Sequence, residues 1–160
     1  MKRVLKIIGI GCAIVVAVVL LLRVTVVISP VSLFPIHGAG MAPTYNDGNM
    51  LLVNKYAKQF SRGDVVVFQQ EKYGFMLKRI IGLPSEKVEI RDGRVFINGA
   101  ELREDYYKGQ TEPDLSVNLT DDQYFILGDN RSSSADSRSF GPIARSTIKA
   151  KVNRVLFRFK

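Results

Sequence analysis

The sequence contains very few of the residues that build disulfides and metal sites. Cys12 is the only cysteine, so no internal disulfide can form. His37 is the only histidine, and a metal site would need further ligands of that kind nearby. No block of arginines and aromatic residues indicates a nucleic-acid groove. We therefore expect no metal, no other cofactor and no nucleic-acid partner.

One long apolar run stands near the N-terminus. Residues 7–28 carry a single charge, Arg23, and as a helix they are long enough to cross the ~30 Å hydrocarbon core of a bilayer. This run is longer than a usual signal-peptide core, and no small-x-small cleavage site precedes residue 29. We expect residues 1–29 to be an uncleaved transmembrane signal anchor, with a cleavable signal peptide as the alternative.

The charges around this run predict its orientation. Lys2, Arg3 and Lys6 precede it, so the short N-terminal end is expected to stay cytoplasmic. Residues 30–160 would then form an extracytoplasmic domain. Their 19 basic and 15 acidic residues leave a net charge of +4, which suits a surface beside anionic lipid. The lipid bilayer is therefore an expected partner.

Beyond residue 29 the pattern is typical of β structure. Helical periodicity is weak, and Asp92-Gly93 is a turn dipeptide flanked by alternating apolar residues, which predicts a hairpin. Residues 99–123 are polar and are expected to form an excursion rather than core. We predict an all-β domain with strands at residues 49–54, 64–69, 75–81, 87–90, 94–97, 123–127 and 150–159.

The loop HGAGMAPT, residues 37–44, is shaped for close approach to a ligand. Its glycines allow backbone conformations that a side chain forbids, its methionine can line a groove, and its proline fixes one torsion. The loop carries no side chain that could act as a nucleophile before its proline. Its candidate substrate-binding residues are Gly38, Ala39, Met41 and Pro43.

Two further stretches carry polar groups in unusual settings. Lys78 lies within an apolar predicted strand, where burial would favour a neutral amine that can act as a general base; an edge-strand lysine reaching solvent is the alternative. The sequence GDNRSSSADSR, residues 128–138, directly follows a predicted strand. Its closely spaced acids and arginines favour an ion-paired loop that holds nearby groups in place.

In this order the patches resemble the type I signal peptidases, membrane-anchored serine proteases that use a Ser/Lys dyad. The resemblance extends from the anchor to residue 143 and implies a signal-peptidase-like domain of coiled antiparallel sheets. The motifs that carry it are MAPT (residues 41–44), GDVVV (63–67), KRIIGLPSE (78–86) and GDNRSSSADSR (128–138).

The resemblance implies roles for individual residues. Lys78 would be the general base, and Ser134 would orient its amine. An Asp136–Arg138 pair would brace the loop. Two positions depart from the family pattern: Ser85 stands where glycine is usual, and Gly40 stands where the family has its nucleophilic serine. The remaining implied support residues are Arg79 and Asp129.

The glycine changes the expected function. Glycine offers no atom for covalent attack, so we expect a protein that recognises preproteins with small residues at −1 and −3 of the cleavage site but is inactive or severely impaired as a peptidase. Gly40 could be an engineered replacement that traps substrate or a natural feature of a non-cleaving relative. A non-catalytic peptide-binding or assembly chaperone for export or pilins, and an unrelated extracellular β module, are the alternatives.

Overall fold

The computed structural model describes residues 11–20, 30–107 and 109–157. Residues 11–20 form a helix, α1, whose side chains are all exposed. Within these ranges no helix is both long and apolar enough to cross a membrane. The rest of the predicted anchor lies outside the described residues. The chain forms two compact units, Met1–Pro30 and Val31–Lys160.

The second unit consists of two antiparallel sheets, which confirms the predicted mostly-β fold. The larger sheet has the strand order β1-β2-β11-β3-β4-β9-β10, and the smaller one has the order β7-β6-β5-β8. In chain order the strands are β1 (Val31–Pro35), β2 (Met50–Asn54), β3 (Val65–Gln70), β4 (Gly74–Gly82), β5 (Lys87–Arg91), β6 (Arg94–Ile97), β7 (Ala100–Glu101), β8 (Leu115–Asn118), β9 (Gln123–Leu127), β10 (Ile143–Ala144) and β11 (Ile148–Phe157).

The two sheets differ in how many of their faces are buried. The first four residues of β3, VVVF, are all buried, as expected for a strand covered on both faces. In the β5–β6 hairpin alternate residues are buried, so only one face packs against core. Asp92 and Gly93 both have positive φ, at 49° and 74°, as a type I′ turn requires. The structure therefore contains the predicted hairpin.

Residues 99–123 form more of the smaller sheet than their polar composition suggests. They contribute β7 and β8, which pair with β6 and β5. Leu119 is buried in the core of the smaller sheet, and Leu102 and Leu115 pack against that core. A few well-placed apolar residues therefore attach this polar stretch to the sheet.

Strand β4 leads directly to the candidate site. Strand β3 pairs with residues 74–79 of β4, whereas β9 pairs with β4 only from Arg79 onward. Residues 74–78 therefore have β3 as their only strand neighbour within the described part of the chain. Lys78 is the last residue of this half-open stretch, beside the loop that follows β9 and precedes the short helix α2 (Ser137–Phe140).

Candidate active site

Lys78 is a buried lysine, with only 6% of its surface exposed. Its Nζ donates a hydrogen bond to the Leu77 carbonyl at 2.9 Å. Burial lowers the pKa of Lys78 from the usual 10.5, and the negative charges of Asp136 and Asp129 offset this shift only in part. The amine is therefore easier to deprotonate than that of an exposed lysine.

Gly40 faces this amine. A Cβ atom built on Gly40 would lie 3.2 Å from the Lys78 Nζ and 3.7 Å from the Ser134 Oγ. The φ of Gly40 lies outside the left-handed region, so the backbone at this position does not require glycine. A small shift of the flexible lysine would admit a side chain here, directed at Lys78.

Ser134 does not make the contact with the Lys78 amine that the resemblance implied. Its Oγ is buried and has no hydrogen-bond partner among the described residues, so the predicted contact with Lys78 is not a hydrogen bond in this structure. The amine instead donates to the Leu77 carbonyl. The hydroxyl and the amine nevertheless approach the same point beside Gly40.

The loop of residues 128–138 is held internally by Asp136. This fully buried carboxylate accepts hydrogen bonds from the Gly128 backbone N–H at 3.0 Å and from Arg138 Nε and Nη2, both at 2.8 Å. The expected Asp136–Arg138 pair is thus present in the structure. At Gly128 a Cβ atom would overlap the Ser134 hydroxyl and the Gly40 carbonyl, so only glycine fits there.

Arg79 and Asp129 form a second buried pair beneath the site. Arg79 donates to Asp129 through Nε at 2.8 Å and Nη2 at 2.5 Å, and its Nη1 donates to the Gly63 carbonyl at 2.8 Å. The guanidinium also lies 4.1 Å from the centre of the Tyr106 ring. This pair links β4 to the loop after β9, which is consistent with the structural role that the sequence implies.

Asn130 connects the two loops of the site, a role that the sequence motifs did not indicate. Its backbone N–H donates to the Gly40 carbonyl at 3.2 Å, and its Nδ2 donates to the Ala39 carbonyl at 3.1 Å. The position of Gly40 is therefore set by the loop that also carries Ser134.

An ion pair between Arg131 and Glu104, which was not predicted, connects the loop of residues 128–138 to the polar stretch of residues 99–123. Their side chains are 1% and 8% exposed, and the guanidinium pairs with both carboxylate oxygens. Arg131 also donates to the Gly128 carbonyl at 2.9 Å and to the Thr111 hydroxyl. Nothing in the polar run around Glu104 distinguishes it from its exposed neighbours Arg103 and Asp105, so sequence alone offers no signal for it.

A groove of about 310 Å³ leads to Gly40 and Lys78. Of the candidate substrate-binding residues, Gly38 and Met41 line it, whereas Ala39 and Pro43 do not. Pro43 instead borders a separate cavity with Tyr106 and Tyr107. The groove is lined by Phe34, Pro35, Ile36, His37, Gly38, Gly40, Met41, Tyr73, Phe75, Met76, Leu77 and Lys78.

Known proteins similar to this chain are signal peptidases. The family described as "Signal peptidase, peptidase S26" matches residues 4–157. Signal peptidase I P of Bacillus subtilis subsp. natto is 36% identical over an alignment covering 93% of this chain and 88% of that protein. Signal peptidase I T of Bacillus subtilis (strain 168) is 38% identical, with 93% and 84% covered.

A solved structure shows the same likeness. The crystal structure of a signal peptidase I from Enterococcus faecalis V583 matches with a TM-score of 0.53 and 33% identity, over 62% of this chain and 98% of that one. The matched family, the relatives and this structure agree with the sequence motifs. The chain therefore belongs to the type I signal peptidase family.

Proposed function

We propose that this chain binds the signal-peptide segment of exported preproteins in the groove beside Lys78 and leaves it uncleaved. The observation that carries the proposal is the 3.2 Å between the Lys78 Nζ and the position of a Cβ atom on Gly40. The groove thus ends at a buried amine that faces the side-chain position of residue 40. The site has the parts of a Ser/Lys peptidase except the hydroxyl.

With serine at residue 40 the geometry supports covalent catalysis. The serine Oγ would attack the carbonyl of the scissile bond while the neutral Lys78 amine takes its proton and later returns it to the leaving amine. The backbone N–H of residue 40 donates to no other described residue, so it can stabilise the oxyanion. With glycine no covalent bond can form, and at most ~10³ to 10⁴-fold acceleration over water would remain.

The open strand edges support peptide binding in an extended conformation. Strand β1 lies at one edge of the larger sheet, and residues 74–78 of β4 have only β3 beside them among the described strands. An extended peptide can add to such edges through backbone hydrogen bonds, while pockets select its side chains. The family resemblance implies small residues at −1 and −3, and the groove beside Met41 and Leu77 would hold them.

A membrane location also belongs to the proposal. The apolar run at residues 7–28 would anchor the chain with its N-terminus in the cytoplasm, and the β unit would act on the extracytoplasmic side. The groove would then meet a signal peptide as that peptide leaves the bilayer.

A second candidate function is that of a non-catalytic assembly chaperone for exported proteins or pilins. The support for it is the ordered network around a site without a nucleophile: Arg79, Asp129, Asp136 and Arg138 are all buried or nearly buried and paired. A chain used only for binding would need this network to hold its groove in shape.

Site-specific crosslinking of a precursor to the full chain in lipid nanodiscs tests the proposal. We expect a precursor with alanine at −1 and −3 to be captured without release of the mature protein. The matched control is the same precursor with tryptophan at both positions, which should not be captured. Equal capture of both precursors, or release of the mature protein, would contradict the proposal.

A further inference from the structure

Lys78 has a buried amine without a carboxylate partner among the described residues. The acids whose charges act on it most, Asp129 and Asp136, are each bound at two points by an arginine, Arg79 and Arg138 respectively. The Lys78 amine has the Leu77 carbonyl as its one hydrogen-bond partner in this part of the chain. Charge-assisted hydrogen bonding to an anion is therefore available to it.

The Ser134 hydroxyl is a second group that could bind a ligand beside Gly40. Its oxygen is buried and makes no hydrogen bond to any described residue. The position of a Cβ atom on Gly40 lies 3.2 Å from the Lys78 Nζ and 3.7 Å from this hydroxyl oxygen. Because Gly40 and Lys78 both line the groove, a bound peptide can reach this point.

We propose that the groove recognises peptides that end in a free α-carboxylate, with small residues before it, and prefers them to uncut chains. The carboxylate would accept hydrogen bonds from the Lys78 amine, which the negative charge of the ligand would keep protonated, and from the Ser134 hydroxyl, in the space that a serine side chain would occupy. The ligand class is therefore that of cleaved signal peptides. This inference rests on the proposed function, binding without cleavage.

The glycine is essential to this preference. A side chain at residue 40 would place its Cβ atom where the carboxylate oxygen is expected, within contact distance of Lys78. The Ser133 carbonyl oxygen, an acceptor that would repel a carboxylate, lies 3.6 Å from that position, so the carboxylate should sit toward the amine and the hydroxyl. A C-terminal amide lacks the charge and would gain much less from Lys78.

Fluorescence anisotropy with the full chain in nanodiscs tests the preference. The probes are two labelled eight-residue peptides ending in Ala-Ser-Ala, one with a free carboxylate and one with a C-terminal amide, at pH 6, where the terminal carboxylate is ionised. We expect the acid to bind on the order of tenfold more tightly than the amide, as a hydrogen bond to a charged group implies.

Three variants assign the preference to the site. Lys78→Met removes the charge, and Gly40→Ala fills the space without removing the charge; in both, the ratio of acid to amide affinity should fall to about one. Lys149→Met removes an exposed lysine on β11 and should leave the tenfold ratio intact. Gly40→Ala also keeps the test decisive if Lys78→Met fails to fold.

The outcomes are distinguishable. Equal affinity for acid and amide in the unaltered chain would overturn this inference and leave the proposed function standing. A tenfold ratio that survives both Lys78→Met and Gly40→Ala would also overturn it. Failure of both peptides to bind would overturn the proposed function and this inference together.

Discussion

The Arg131 guanidinium and the Glu104 carboxylate form a buried two-point ion pair that joins the polar stretch of residues 99–123 to the loop carrying Ser134. The same guanidinium bonds to the Gly128 carbonyl, one peptide unit before the Arg79–Asp129 pair. The site is thus supported by a segment outside the family motifs.

Glu104→Ala should therefore destabilise the chain strongly. It leaves the Arg131 charge buried and uncompensated, which costs about 3 kcal/mol of unfolding free energy. The matched control is Glu101→Ala, because the Arg94–Glu101 pair has side chains 64% and 53% exposed and should contribute less than about 1 kcal/mol. Urea unfolding measures both, and equal losses would contradict the role of burial.

Two nearby serines should respond in opposite ways to substitution by alanine. The buried Ser134 hydroxyl has no partner among the described residues, so Ser134→Ala should be neutral or stabilise the chain by up to about 1 kcal/mol. The Ser137 hydroxyl accepts a hydrogen bond from the Ile126 N–H at 3.0 Å, so Ser137→Ala should destabilise by about 1–2 kcal/mol. Thermal unfolding compares them. A marked loss in Ser134→Ala would show that its hydroxyl is already bonded.

The backbone at Ser85 explains why glycine is usual there. Its φ is 64°, in the left-handed region, so Ser85→Gly should stabilise the chain by about 1 kcal/mol. Asn98 also has a positive φ, at 51°, but its Oδ1 accepts a hydrogen bond from the Lys87 N–H at 2.8 Å. Asn98→Gly should therefore give no gain. A stabilisation confined to Asn98→Gly would contradict this explanation.

The lowered pKa of Lys78 predicts a pH-dependent stability. Above the lowered folded-state pKa and below the unfolded value near 10.5, the unfolded chain binds more protons at this lysine, so the free energy of unfolding should rise with pH. Subtracting the curve of Lys78→Met isolates this contribution. Lys149→Met, which removes an exposed lysine, should reproduce the curve of the unaltered chain. A difference curve that is flat up to pH 10 would contradict the shift.

Much of the fold could be predicted because local patterns decide it. The sequence predicted seven strands; six lie within one residue of β2 to β6 and β9 at each end, and the seventh corresponds to β11. The short strands β1, β7, β8 and β10 were missed. Their two to five residues carry too little alternation, and their pairing depends on neighbours distant in sequence.

In the candidate site, too, local patterns predicted some residues, whereas contacts between distant segments could not be predicted. Lys78 stood out because a charge within an apolar strand needs an explanation, and the family motifs indicated the loop of residues 128–138. The contacts of Asn130 with the loop of residues 37–44 and of Arg131 with Glu104 join segments 27 or more residues apart. No local pattern encodes such contacts, because they depend on how the two sheets bring the loops together.

Cleavage of a secreted precursor by Gly40→Ser tests whether the site lacks only a hydroxyl at residue 40. Gly40→Ala is the matched control, because it adds the same Cβ atom without the oxygen. The serine variant should release mature protein at least ~10³-fold faster than the alanine variant and the unaltered chain, and adding Lys78→Ala should abolish the gain. No cleavage by a folded Gly40→Ser chain would contradict this prediction.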